Sequence, residues 1–165
     1  MGVARNGRFA AVTNYRGATE PSAPHSRGSL VTDFLRGETP PEKYIQKINP
    51  SEYSGFNILL ADQKELWWFS NRDGSPRKLP PGIYGLGNLL LDSPEVEGSK
   101  KGFEATLRAA PGTEAIFGEL AKAKIVNPQY GTRCSTVLLK STKTQYAERR
   151  FAPDGSDEET LRFEL

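Results

Sequence analysis

Cysteine, histidine and methionine each occur once in the 165 residues, as Cys134, His25 and Met1. A lone cysteine excludes an intrachain disulfide and any zinc site built on several thiolates, and a lone histidine excludes a multi-histidine metal centre. Neither sign of charge dominates. Lys and Arg number 22 against 20 Asp and Glu, a formal net charge of +2, which gives no support to a nucleic-acid binder relying on bulk positive charge. Long apolar runs are missing as well. Phe56–Ala61 and residues 89–91 are strand-sized, far below the ~20 residues of a membrane span, so no span is expected. The first residues carry neither a signal-peptide apolar core nor the Ser or Thr of a myristoylation signal at position 6, which is Asn6. The default expectation is therefore a reducing, cytoplasmic compartment. Phosphate-loop, nucleophile-elbow and H-E-x-x-H motifs are absent too.

What is present is an ordinary globular composition, 36% hydrophobic and 25% charged, in a chain long enough to bury a core without disulfide or metal. The expected domain organisation is one domain over residues 1–165. Residues 8–15 have the small, β-branched and aromatic content of a well-buried strand. Gly17, Pro21 and Pro24 then break the chain into a loop. Ser26 is placed to cap a short helix whose Leu30, Val31, Phe34 and Leu35 share a face and which stops at Gly37. Pro40 and Pro41 open a second helix with Tyr44, Ile45 and Ile48 on one side.

The middle reads as a β-meander, with strands over 56–61 and 65–70 and a hairpin turn at Asn71-Arg72-Asp73-Gly74. Glycines on either side of Leu86 suggest a strand end over 83–88 lying close to other backbone. Residues 100–124 read as helical, interrupted at Pro111-Gly112, and strands return over 135–140, 145–151 and 160–165. Strands at both ends with helices grouped between them indicate an α+β fold with largely antiparallel sheets.

Three polar residues stand at strand ends, where neighbouring strands could bring them together: Asn14, Asn88 and Arg133. Each is explicable as a turn or cap residue. Assembled, amide and guanidinium groups of this kind bind a carboxylate or stabilise an oxyanion. Cys134 follows Arg133 and reads as a small buried strand residue in preference to an acidified thiol. His25 reads as an exposed loop residue. Of Trp67 and Trp68, adjacent on a strand, one belongs in the core and the other is partly exposed. Arg149 and Arg150 straddle two faces of a strand in the same way.

The same segments resemble one family. Gly7-Arg8-Phe9-Ala10-Ala11-Val12-Thr13-Asn14-Tyr15-Arg16, Ser26-Arg27-Gly28-Ser29-Leu30-Val31, Tyr53-Ser54-Gly55-Phe56-Asn57-Ile58-Leu59, Pro81-Gly82-Ile83-Tyr84-Gly85-Leu86-Gly87-Asn88 and Tyr130-Gly131-Thr132-Arg133-Cys134-Ser135-Thr136 follow in the order of the NRDE protein family, also called the Transport and Golgi organisation protein 2 family. The resemblance implies an αββα sandwich similar to the N-terminal nucleophile hydrolases, here incomplete. In related acylases an N-terminal cysteine attacks an amide with its own α-amino group as base. The counterparts of the oxyanion-stabilising asparagines and the orienting arginine would be Asn14, Asn88 and Arg133.

The family usually begins Met-Cys and carries an Asn-Arg-Asp-Glu motif upstream of the Thr13-Asn14 strand. Neither is present, and the segment between Lys101 and Tyr130 looks shorter than usual. The resemblance therefore implies a domain truncated at its N-terminus relative to the family, without its candidate nucleophile. Two readings follow: a trafficking or binding protein on a hydrolase-like scaffold, with haem or an acyl lipid such as acyl-CoA as ligand, or the remainder of a cysteine-dependent amidohydrolase. A third is that a chain without its first strands exposes unpaired backbone and has no function alone. No cofactor is evident from the residues, haem entering by resemblance only.

Overall fold

A computed structural model describes residues 1–17, 23–109, 112–127 and 129–165. They form two compact units, residues 1–97 and 98–165. The fold is α+β, and all strand pairings among the described residues are antiparallel.

The first unit is a five-stranded sheet in sequential order: β1 (Gly2–Val3), β2 (Phe9–Asn14), β3 (Phe56–Ala61), β4 (Leu66–Ser70) and β5 (Arg77–Lys78). Alternation along the strands sends Ala10, Ile58, Leu60 and Phe69 to one face, which receives Leu30, Val31 and Phe34 of α1 (Arg27–Arg36) and Ile45 of α2 (Pro41–Ile45). Ser26 caps α1 as expected, its side chain accepting from the Gly28 N–H at 3.3 Å, and Gly37 ends the helix. Arg8 is buried beneath α1, its guanidinium 3.8 Å from the Phe34 ring centroid and donating to the carbonyls of Phe34 and Thr39 at 3.1 and 2.8 Å. It thereby satisfies a carbonyl in the last turn of α1 that has no intrahelical donor.

The expected meander is present, and Gly74 adopts φ +79°, the left-handed region that the Asp-Gly pair was read to need. Asn71 braces the same corner. Its Oδ1 accepts from the Phe56 N–H at 2.9 Å, and its Nδ2 donates to the Tyr53 and Pro50 carbonyls at 3.2 and 3.3 Å. Trp68 is fully buried and Trp67 half-buried, as the strand period requires.

Two expectations about the first unit are corrected. Residues 83–88 are not a strand: the Gly85, Gly87 and Asn88 carbonyls are taken singly by the Asp92 N–H, Thr13 Oγ1 and the Arg16 N–H, with no ladder among them. Within β2 only Ala10 is fully buried, the rest being half-buried or exposed. Strand β1 went unnoticed because two residues carry no periodicity.

In the second unit α3 (Glu97–Ala109) and α4 (Thr113–Ala121) accompany a three-stranded sheet of β6 (Cys134–Lys140), β7 (Thr144–Phe151) and β8 (Asp157–Glu164). Pro111, read as the break between the helices, lies outside the described residues. Ile116 and Phe117 of α4 pack on Val137 and Ala147, which are opposite one another in the ladder. Arg149 lies on that covered face, its guanidinium 4.4 Å from the Phe117 centroid and donating to Glu114 at 2.7 Å. Arg150 faces the other way, donating to Glu148 and Glu159 at 3.0 and 2.8 Å. The same parity overturns the reading of Cys134 as buried. Counting back in twos from Val137 reaches Ser135, so Cys134 falls on the face away from α4 and is exposed.

Candidate functional site

Strand β2 ends at Asn14, and the loop over 83–92 is fastened to that end. The carbonyls of Gly87, Asn88 and Leu89, three in a row, are each held by a donor from the sheet or from the chain just beyond β2. Thr13 Oγ1 donates to Gly87 at 2.9 Å, the Arg16 backbone N–H to Asn88 at 2.6 Å, and Asn57 Nδ2 to Leu89 at 2.9 Å. In return Asn88 Nδ2 donates to the Asn14 carbonyl at 2.8 Å. Farther along the loop, Asp92 Oδ1 accepts from the Gly85 N–H at 2.8 Å and closes it on itself.

The two side-chain donors come from one register. Thr13 and Asn57 are paired across β2 and β3, and Ser70 of β4 is paired with Asn57, so all three point to the same face. Asn57 and Ser70 are fully buried there. The Ser70 hydroxyl donates to the Phe56 carbonyl at 2.8 Å, and Asn57 Nδ2 reaches Thr13 Oγ1 as well, at 3.3 Å. Asn57 Oδ1 and Trp68 Nε1, on this same face, have no hydrogen-bond partner among the described residues. An amide in an otherwise apolar strand, Phe-Asn-Ile-Leu-Leu-Ala, is the signal that marks Asn57, and the sequence reading passed over it.

Asn14 and Asn88 are thus brought together, as the sequence suggested, but through the backbone carbonyl of Asn14. Its own carboxamide is on an exposed residue, and one Asn88 N–H is committed to bracing the loop. Arg133 belongs to the second unit. It is exposed just ahead of β6, its carbonyl accepts from the Phe151 N–H at 3.0 Å, and it lines a cavity of about 100 Å³ with Thr132, Ile125 and Pro153. His25 is exposed, with its Nε2 3.7 Å from Glu52 and its ring 5.8 Å from that of Tyr53. Among the described residues no three His, Cys, Asp or Glu side chains are grouped to hold a metal ion, and no helix is long and apolar enough to cross a membrane.

Beside the clamp, two guanidinium groups converge on Gly55. Its carbonyl accepts from the Tyr15 N–H and from Arg27 Nη1, both at 2.9 Å. A Cβ at Gly55 would lie 3.0 Å from Arg72 Nε and 3.1 Å from the Tyr15 Cβ, close enough that these neighbours would have to give by a few tenths of an ångström.

Comparison with known proteins bears directly on this chain. The family model described as Transport and Golgi organisation 2 matches residues 1–125, a stretch that includes the whole β2–loop clamp and Gly55. The Transport and Golgi organization protein 2 homolog of Bos taurus is 30% identical over 182 aligned positions, covering 84% of this chain and 66% of its own length. The homologs of Mus musculus and Homo sapiens are 33% and 34% identical over 102 positions, covering 57% of this chain and 37% of theirs. The chain thus spans 37–66% of the length of these curated relatives. With the match extending from the first strand through α4, the chain belongs to the Transport and Golgi organisation 2 family.

Proposed function

We propose that the chain is a cytoplasmic binding or trafficking protein whose ligand is amphipathic and bears anionic groups, either haem or an acyl lipid such as acyl-CoA. The observation that carries this reading is the use made of the two best-placed amides. Asn88 and Asn57 donate to backbone carbonyls at 2.8 and 2.9 Å and hold a loop in place. Preorganised donors for an oxyanion would instead point at the position of a developing charge. Transport and Golgi organisation, in the names of the relatives, accord with a carrier. Titrating the purified chain with haemin, followed at the Soret band, and with palmitoyl-CoA, followed by calorimetry, tests it. Saturable one-to-one binding of either ligand is expected; a flat response to both rejects the reading.

A second reading is favoured by the meeting of Asn14 and Asn88: the chain is part of a cysteine-dependent amidohydrolase in which these two stabilise an oxyanion and Arg133 orients the nucleophile. In a longer form beginning with cysteine, Arg133→Ala should then abolish turnover of the substrate amide. Unchanged turnover removes the role assigned to Arg133.

A further inference from the structure

We infer that a single water molecule is bound on the buried polar row of the five-stranded sheet, bridging Trp68 Nε1 to Asn57 Oδ1, and that it ties Trp68 into the clamp on the 83–92 loop. The inference goes beyond the carrier reading and does not depend on it.

The positions follow from strand register. Asn57 of β3 is opposite Ser70 of β4, and Trp68 is two residues from Ser70 on the same strand. Asn57 and Trp68 are therefore diagonal neighbours on one face, about 7–8 Å apart along the diagonal and within reach of a large side chain. The orientation of the Asn57 amide is set by its nitrogen, which donates to the Leu89 carbonyl at 2.9 Å and to Thr13 Oγ1 of β2 at 3.3 Å. With Nδ2 turned to β2, the planar amide turns Oδ1 the other way, to the side of β3 where β4 and Trp68 lie.

The two atoms have opposite needs. A carboxamide oxygen only accepts, and an indole N–H only donates. Both residues are 0% exposed, and neither atom has a partner among the described residues. Buried polar atoms are satisfied by protein or by ordered water in the large majority of cases. One water molecule serves both here, donating to Asn57 Oδ1 and accepting from Trp68 Nε1. Ser70 Oγ, beside both, donates to the Phe56 carbonyl at 2.8 Å and accepts from the Arg72 N–H at 3.2 Å. That leaves it one lone pair for the second hydrogen of the water. Three bonds are the usual complement of a buried water. Trp67 supplies the contrast. Its Nε1 donates to Glu65 at 2.7 Å, so a carboxylate does there what the water does for Trp68.

Nuclear magnetic resonance of the whole chain tests the assignment through magnetisation transfer from water to the two indole N–H protons. A cross-peak with the sign of a long-lived bound water is expected at Trp68, and none of that sign at Trp67. High-resolution crystallography should place the same water within hydrogen-bond distance of Nε1 and Oδ1. A direct bond between Nε1 and Oδ1, another protein acceptor on Nε1, or no water between them overturns the inference. Asn57→Leu, which removes the acceptor, should abolish the cross-peak, and its survival in the folded variant counts equally against the bridge. The measurements on the parent chain decide the matter whether or not that variant folds.

The tie to the clamp is read by amide hydrogen exchange. Trp68→Phe keeps an aromatic ring and loses the donor. It should speed exchange tenfold or more at Arg16, whose N–H is bonded to the Asn88 carbonyl, and leave Phe34 in α1 unchanged. No acceleration at Arg16, or equal acceleration at Phe34, overturns that tie.

Discussion

Replacing Asn71 by alanine tests how the floor beneath Gly55 is held. The side chain accepts from the Phe56 N–H at 2.9 Å and donates to the Tyr53, Pro50 and Ser54 carbonyls at 3.2, 3.3 and 3.5 Å. Phe56 is fully buried, so its amide, once abandoned, finds no water without disturbing the strand. A buried donor left unsatisfied costs about 1–3 kcal/mol, and loss of the shared donor adds about 1 kcal/mol. The expected destabilisation is therefore roughly 2–4 kcal/mol. With a urea m-value of about 2 kcal/mol/M, the unfolding midpoint should fall by about 1–2 M. Asn71→Asp is the informative companion. It keeps the acceptor for Phe56 but turns a carboxylate oxygen towards the three carbonyls, so it should not rescue the alanine variant at neutral pH. Urea unfolding followed by tryptophan fluorescence reports the change through Trp67 and Trp68 on β4. A midpoint unchanged by Asn71→Ala would refute the claim that this side chain braces the corner.

Two further outcomes follow from the first unit. Phe34→Ala removes a fully buried ring that packs edge-on to Tyr44 and carries the Arg8 guanidinium, and should destabilise by about 3–5 kcal/mol in the same assay, with Phe34→Leu costing distinctly less. The Tyr44 phenol, pushed up to about 12 by burial and then by the Asp33 charge, should ionise later than an ordinary tyrosine in an absorbance titration. A folded-state value raised above the unfolded one means stability is fully present below about pH 10 and is lost as pH rises towards 12. Tyr44→Phe should remove that part of the alkaline loss, and an identical alkaline profile in the variant would contradict the assignment.

Much of the fold was legible because its elements obey local rules. Ser26, Gly37 and the paired prolines bound α1 and α2, and the period-two pattern placed β3, β4 and β6–β8 within a residue or two at most ends. The readings that failed depended on partners distant in sequence. Residues 83–88 carry the composition of a strand end, yet the Gly87 and Asn88 carbonyls are taken individually by Thr13 Oγ1 and the Arg16 N–H, from more than 70 residues away. Cys134 looked like a core residue by type, but burial was decided by which parity α4 covers. The candidate site was half legible. Asn14 and Asn88 do meet, whereas Asn57, Arg27 and Gly55 were overlooked, because an amide inside an apolar run and an arginine opening a helix look unremarkable until the neighbouring strand and loop are in place.

The row of Thr13 and Asn57 also ties the native strand register to the placement of the loop. Because these two residues are directly opposite across β2 and β3, only the native alignment presents both side chains to the same face, where the Gly87 and Leu89 carbonyls await them. A slip of one residue along either strand would turn one of the pair to the other side. The loop, whose own sequence enters these bonds chiefly through backbone carbonyls that any residue supplies, would then lack one of its anchors. Fidelity of alignment is thus rewarded far along the chain, and mutations in the loop's side chains should be better tolerated than conservative changes at Thr13 or Asn57.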